Sequence, residues 1–359
     1  MDGLDRTAAG HAPLAEVSDL RVRFVSREAT VHAVNGVGFT VNPGEVMCIL
    51  GESGSGKSVT LRALMRLLPP LRARIEGDIR VCGEDVLAMP QRRLRDFRGG
   101  LVSMIFQEPM TALDPVYTIG QQIGEAVRRH TGAGRREARA RALELLEMVR
   151  IPSAARRLDA YPHELSGGLR QRAMTAMALS CRPRLLLADE PTTALDATVQ
   201  VQVLILLRRL QRELGMGMIF VTHDLGVAAE IADRIAVMYA GRIVESGPVA
   251  DILRAPAHPY TQGLLASTVH GQARDRDIAA IPGSPPDLRR LPPGCAFAPR
   301  CFRRSPECRE AVPAPRVPEP GRMAACIALP GDMTGTAEVN DCVRPPINAP
   351  ATQNSGHDH

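Results

Sequence analysis

At 359 residues the chain is long enough for two domains, or one large domain with an appendage, so it needs no disulfides to hold a core. Hydrophobic residues at 45% and charged residues at 23% fit a globular protein in water. Aromatics at 3%, with no Trp, argue against the stacking platforms of single-strand nucleic-acid binders. The net charge of +5 comes from Arg spread along the chain, and even RRLRDFR (92–98) and RREARAR (135–141) are interleaved with acidic or apolar residues. These runs read as solvated helix faces, and nucleic acid is not an expected partner.

The opening stretch MDGLDRTAAGHAPLAE carries two Asp and a Glu and no apolar run of signal-peptide length. We expect residues 1–15 to be a flexible lead. The longest aliphatic run, VQVLILL (201–207), is far below the ~20 residues that span a bilayer, and we expect the chain in the cytoplasm. Thiols stay reduced there, so clustered cysteines read as metal ligands or redox groups before they read as disulfides.

Residues 17–50 alternate β-branched and apolar residues, with turn signals at NG (35–36) and NPGE (42–45). They predict an antiparallel start that ends in the strand VMCIL. GESGSGKS (51–58) follows at once, and KSVTLRALMRLL (57–68) predicts a helix stopped by Pro69 and Pro70. The first eight residues fit G-x-x-x-x-G-K-[ST], and a strand before and a helix after supply the context that this motif needs. Successive backbone N–H groups and the positive helix end cradle phosphate, and glycine permits the close approach. Gly51, Ser53, Gly54, Gly56, Lys57, Ser58 and Val59 are the expected nucleotide contacts. Lys57 would reach the β and γ phosphates and Ser58 would ligate Mg²⁺.

From about 115 to 181 the pattern is helical. REARARALELLEMV places Ala138, Ala142, Leu145, Leu146 and Val149 on one face, which predicts a helical insert. Strand patterns return at LLLAD (185–189), MIFVTH (218–223) and RIAVMYAGRIVESG (234–247), with a helix over TVQVQVLILLRRLQREL between the first two. Strands separated by helices imply a parallel sheet buried on both faces. LLLADEP sets Asp189 at the C-terminal edge of such a strand, where ligands of parallel sheets bind. Asp189 would hold Mg²⁺ through water and Glu190 would polarise an attacking water. Two acids at a strand end can also simply cap a helix.

Between these motifs lies LSGGLRQR (165–172), which resembles the signature sequence of ATP-binding cassette (ABC) proteins. An N-capping Ser followed by two Gly leaves donors free for an anion, and the resemblance implies that Ser166, Gly167 and Gly168 face the γ-phosphate of ATP held by a second cassette. Leu169 stands where most cassettes have Gln. Other family elements follow the same order. Gln107 in IFQEP resembles the Q-loop residue at Mg²⁺ and water, Asp196 in TTALD resembles the D-loop, and His223 in VTHD resembles the switch histidine. Phe24 in RVRF is the best upstream candidate for stacking on adenine, with Val31 as the alternative. The likeness covers about residues 17–250 and implies an α/β P-loop NTPase cassette, with a RecA-like parallel core, an antiparallel β subdomain and a helical subdomain at about 108–181. It further implies ATP hydrolysis in a head-to-tail pair of cassettes.

QEPMTALDPVYTIGQQIGEAV (107–127), PAHPYTQGLLAS (256–267) and IPGSPPDLRRLPPGCAFAPRC (281–301) resemble the peptide-importer branch of this family. The resemblance implies an ATPase subunit of a bacterial dipeptide or oligopeptide importer, or one for nickel or glutathione. It would sit on the cytoplasmic face of the inner membrane beneath two permease subunits, with a separate extracytoplasmic protein supplying the substrate.

Beyond about 254, prolines multiply and periodicity fades. We expect the cassette to occupy 16–253, a small Cys/Pro-rich C-terminal module to occupy 254–330, and a disordered tail to occupy 331–359. Cys48, Cys82 and Cys181 read as small buried hydrophobes, and Cys342 falls in the tail. Cys295, Cys301, Cys308 and Cys326 form a possible four-thiolate site for iron–sulfur or zinc, with unliganded or redox-labile thiols as the alternative. Structural zinc sites pair ligands two to four residues apart, a spacing absent here, which favours a cluster. The resemblance points to [4Fe–4S] as well, since some peptide-importer ATPases carry it in this region.

Overall fold

Two strands rich in β-branched residues, β1 (Ala15–Val25) and β2 (Thr30–Val41), pair antiparallel, and β1 also pairs antiparallel with β4 (Ala73–Val81). The short β5 (Glu84–Asp85) completes this sheet in the order β2-β1-β4-β5. The computed structural model describes residues 12–108, 112–193, 195–267 and 280–329. The expected tail, 331–359, and Cys342 lie outside these residues, as does most of the expected flexible lead. Within the lead's described end, Leu14 and Ala15 are already buried, and Leu14 donates to Val41 O.

β3 (Val46–Leu50) does not close the antiparallel start. It is fully buried and lies parallel between β8 (Gly217–Thr222) and β9 (Arg234–Tyr239) in a second sheet. Five consecutive apolar residues suit a strand covered on both faces, not one with a wet face. The second sheet runs β11-β10-β9-β3-β8-β7-β6, with β6 (Val102–Ile105) and β7 (Leu185–Asp189) parallel to β8. RIAVMYAGRIVESG supplies two strands, β9 and β10 (Arg242–Pro248), in an antiparallel hairpin, so the sheet is mixed at this edge.

Helix α1 (Lys57–Leu64) ends four residues short of the expected Leu68. Arg66 enters the left-handed region at φ 50°, and Leu67 N–H closes onto Arg62 O, a C-terminal closure that stops the helix before Pro69. Basic α2 (Gln91–Gly100) lies on the surface, where Arg93 pairs with Glu84. The helical insert comprises α3 (Ile119–Thr131), α4 (Arg135–Met148), the short α5 (Ala154–Arg157) and α6 (Gly167–Ala178). Thr118 and Gln121 form a capping box at the start of α3. Ala138, Ala142, Leu145 and Leu146 are the buried face of α4, on the predicted spacing, while Arg139 pairs outward with Asp159. The insert shares one hydrophobic core with β3, β7 and β8. Helix α7 (Ala197–Leu214) links β7 to β8, and α8 (Leu225–Ile231) links β8 to β9.

The texture change near 254 does not mark a break in packing. Helices α9 (Val249–Arg254) and α10 (Pro259–Ala266) lead into residues 280–329, which are mostly irregular. Tyr260 and Phe297 belong to the main core, packed with Tyr239 at ring-centroid distances of 4.6 and 5.3 Å. The two-residue strand β11 (Met323–Ala324) pairs with β10, and buried Arg322 reaches Glu245. This proline-rich segment is held by the main core and the mixed sheet, supplemented by a small cluster of Ala257, Ala324, Cys326 and Leu329.

Candidate functional site

The strands β3, β8, β7 and β6 are adjacent and parallel, so residues leaving their C-terminal ends meet at one edge of the sheet. The loop Gly51–Ser58 leaves β3, His223 follows β8, Asp189 and Glu190 end β7, and Gln107 follows β6. Gly51 and His223, 172 positions apart in sequence, thereby reach one place.

The loop depends on glycine at two points. A Cβ at Gly51 would lie 2.2 Å from Met238 O, and one at Gly56, where φ is 104°, would lie 2.4 Å from Ala33 O. Glycine thus lets the loop backbone pack against these two carbonyls, and the loop enters a helix whose first N–H groups can receive an anion. Lys57 folds over the loop, donating from Nζ to Gly51 O at 2.8 Å and Glu52 O at 3.0 Å. Burial lowers the Lys57 pKa, and the opposing attraction of Glu190 and Asp189 limits the fall.

Ser58 Oγ donates to Asp189 Oδ1 at 2.7 Å. Asp189 is fully buried, and its second oxygen accepts no hydrogen bond among the described residues. Arg62 Nη2 approaches that oxygen only to 3.9 Å. Burial raises the Asp189 pKa, partly offset by the Ser58 hydrogen bond. A buried carboxylate oxygen without a hydrogen bond, next to a serine hydroxyl and a phosphate-type loop, fits a hard dication with oxygen ligands.

Glu190 occupies a left-handed backbone position, φ 45°. Its Oε2 accepts from Thr193 Oγ1 at 3.0 Å and Gln107 Nε2 at 3.3 Å, and His223 Nδ1 lies 3.2 Å away. Its Oε1 lies 3.8 Å from Lys57 Nζ. Neither acid caps a helix; the helix cap is Asp196, which accepts from Val199 N–H at 3.0 Å at the start of α7. Thr193 is the residue of this cluster that sequence reasoning missed. Its place three residues after Glu190, in the quoted TTALD, was the available signal.

Ser166 is the N-cap of α6, yet its side chain makes no cap hydrogen bond, and it is exposed together with Gly167. The first N–H groups of α6 thus face outward at a positive helix end. A Cβ at Gly168 would lie 2.7 Å from Val199 Cγ1, so glycine lets α7 pack close. Val59 is half-buried in the first turn of α1, and Ser53 lies in the loop. Phe24 is half-buried on β1, opposite Val31 and Ala73, and packs on the core of the antiparallel sheet.

Cys48 is fully buried in β3, whereas Cys82 and Cys181 are only half-buried. The four C-terminal thiols lie within electrostatic reach of one another. Cys301 Sγ accepts from Arg303 N–H and Cys308 Sγ from Ser305 N–H, at 3.3 and 3.5 Å, and Cys295 and Cys326 also receive backbone N–H groups. Burial pushes the Cys301 thiol up to about 11. Among the described residues no three His, Cys, Asp or Glu side chains are arranged to hold a metal ion.

A family model described as ABC transporter matches residues 34–193, and one described as the C-terminal region of oligopeptide/dipeptide transporters matches 244–308. A Brucella melitensis protein provisionally named a peptide import ATP-binding protein is 54% identical over 313 residues, covering 84% of this chain and 93% of that protein. A Sinorhizobium fredii protein, provisionally named a peptide ABC transporter ATP-binding protein, is 48% identical over 315 residues, covering 87% and 94%. Among solved structures, the ATP-binding cassette MJ0796 in a dimeric post-hydrolysis state bound to ADP and Pi superposes with a TM-score of 0.59 at 29% identity, over 66% of this chain and 98% of that one. Another structure of MJ0796, also dimeric, matches equally well. The chain belongs to the ABC transporter ATPase family, in the branch that carries the oligopeptide/dipeptide transporter C-terminal region.

Proposed function

We propose that this chain hydrolyses ATP to energise the import of di- or oligopeptides, as one of two cassettes paired head to tail beneath two permease subunits at the cytoplasmic face of the membrane. The observation that carries the reading is the meeting of Lys57, Ser58, Asp189, Glu190, Gln107 and His223 at one sheet edge. The peptide cargo rests on the relatives' names and on the matched C-terminal region.

In this reading the phosphates lie on the loop from Gly51 to Ser58, where Lys57 exchanges its two carbonyl partners for phosphate oxygens. Ser58, Asp189 and Gln107 would hold Mg²⁺, which supplies charge neutralisation on the phosphates. Glu190 orients a water for attack, held in place by Gln107, Thr193 and His223. Ser166, Gly167 and Gly168 serve the partner's nucleotide, which is why the hydroxyl of Ser166 is not spent on capping its own helix. Asp196 lies beside the seam, and Phe24 is the proposed adenine contact. No helix among the described residues is long and apolar enough to cross a membrane, in keeping with a subunit that docks on permeases.

Deleting the gene and measuring uptake of labelled di- and oligopeptides tests the cargo. Unchanged uptake of all of them would remove peptides in favour of nickel, glutathione or another small solute, and leave the ATPase reading intact.

The four thiols are proposed as ligands of an iron–sulfur cluster, or of zinc, and no step of the ATPase reaction runs through them. Four neighbouring sulfurs that accept backbone N–H groups favour the reading. As arranged, they form no metal-holding group, so binding would have to draw them together. Anaerobic purification with iron and zinc analysis tests it, and a colourless protein with neither metal would refute it.

A further inference from the structure

Glu52, the second residue of GESGSGKS, is held by all three of its polar groups. Its N–H donates to Tyr260 Oη at 3.0 Å, and its C=O accepts from Lys57 Nζ at 3.0 Å and from Ser55 N–H at 3.2 Å. Its carboxylate receives Arg300 in bidentate fashion, Nη1 to Oε2 at 2.9 Å and Nη2 to Oε1 at 3.1 Å. Tyr260 belongs to the HPYT stretch, and Arg300 directly precedes Cys301.

Arg300 is itself built in. Its side chain is 6% exposed, and its Nε donates to Pro282 O at 2.9 Å. Nη1 also reaches Tyr239 Oη at 3.3 Å, and the guanidinium lies near the rings of Tyr239 and Phe297. A further chain segment borders the same place. Pro285–Leu288 lines a cavity of about 300 Å³ together with Glu52–Ser55, Tyr239 and Ala240, and Leu288 O accepts from His32 N–H on β2.

Placing a carboxylate inside an anion-binding loop is unfavourable unless its charge is cancelled, because it opposes the phosphates that the loop must receive. Bidentate Arg–carboxylate pairing cancels that charge and fixes its geometry together. We propose that Arg300 is a positioning residue for nucleotide binding: by neutralising and orienting Glu52, it lets the segment after the cassette complete the phosphate loop. The inference rests on reading Gly51–Ser58 as the ATP site. It makes ATP affinity a property of the C-terminal segment as much as of the cassette.

The test uses the full-length protein and the dissociation constants of MgATP and MgADP, with basal hydrolysis. Arg300→Met, which keeps length and removes charge, is expected to weaken MgATP binding about tenfold, and MgADP binding less, because ATP carries more negative charge past the exposed carboxylate. Hydrolysis at saturating ATP should fall by no more than about threefold, so the loss appears in KM. The double variant Glu52→Gln/Arg300→Met should recover most of the affinity, and Arg300→Lys should lie between wild type and Arg300→Met. A purely structural clasp would lower the melting temperature without an ATP-over-ADP difference and without recovery in the double variant. Either that result, or unchanged ATP affinity in Arg300→Met, overturns the inference. Should Arg300→Met fail to fold, Arg300→Gln, which also removes the charge, carries the same comparison, and unchanged affinity there is again fatal. Lys57→Ala is the control on the loop itself. If it binds nucleotide normally, the ATP-site reading falls and this inference falls with it.

Discussion

Ser58 and Asp189, 131 residues apart in sequence, are joined by a 2.7 Å hydrogen bond that leaves the other Asp189 oxygen buried and, among the described residues, without a hydrogen bond. A buried carboxylate whose nearest paired cation stands off at 3.9 Å costs folding free energy. Asp189→Asn should therefore abolish Mg²⁺-dependent hydrolysis, by at least about a hundredfold, while the metal-free protein melts no lower than wild type. The pH dependence follows from the direction of the shift. Burial raises the Asp189 pKa, so the folded state favours the protonated form, and this group's contribution is lost as pH rises through the folded pKa. The melting advantage of Asp189→Asn should thus be larger at pH 7 than near pH 3.5. A variant that still hydrolyses ATP with Mg²⁺ would refute the metal role.

Glu190→Gln keeps the size and the contacts to Thr193 and Gln107 but removes the charge that would polarise water. Turnover should drop by at least about a hundredfold with nucleotide binding retained, and ATP should then trap a cassette pair visible by size-exclusion chromatography. Normal turnover would contradict the role assigned to Glu190.

Two glycines of the loop should separate steric need from backbone conformation. Gly51→Ala sets a Cβ 2.2 Å from Met238 O, so the loop must move and nucleotide binding should be lost. At Gly54, φ is 78° and nothing lies within 4 Å of an added Cβ, so Gly54→Ala should cost only about 1–2 kcal/mol, the strain of a left-handed residue. Differential scanning calorimetry and nucleotide titration of both variants distinguish them. Equal effects would contradict this account.

His258 is an acid-sensitive point beside the core. Burial pushes its pKa down to about 4, and its Nδ1 accepts from Tyr260 N–H, so the folded protein needs the ring neutral. The unfolded chain protonates near pH 6.5, so stability should fall as pH drops from there towards 4, by on the order of 3 kcal/mol. His258→Asn, which retains an acceptor, should melt with a flatter dependence over that window. An unchanged acid limb would assign the effect to other groups.

The nucleotide motifs were legible because each is short and local. A glycine loop between an apolar strand and a helix, and two acids after a buried strand, each carry their own physical requirement. VMCIL lies outside the antiparallel sheet that its position in the sequence suggests, because five buried apolar residues fit any doubly covered strand and its neighbours come from residues 218–222 and 234–237. The end of α1 at Leu64 is not legible in the sequence, because the left-handed Arg66 carries no glycine or asparagine signal.

Residue order alone marked Lys57, Ser58, Gln107, Asp189, Glu190 and His223 as candidates, since their spacing to strand ends and helix starts is a matter of local chemistry, and the fold brings them to one sheet edge. It could not reveal that Glu52 is paired with Arg300 and Tyr260, 248 and 208 residues further along. That pairing depends on how β9, α10 and a proline-rich segment without periodicity fold back over the sheet edge. Contacts of such long range are selected by packing of the whole core, where Tyr239, Tyr260 and Phe297 meet, and no local pattern encodes them.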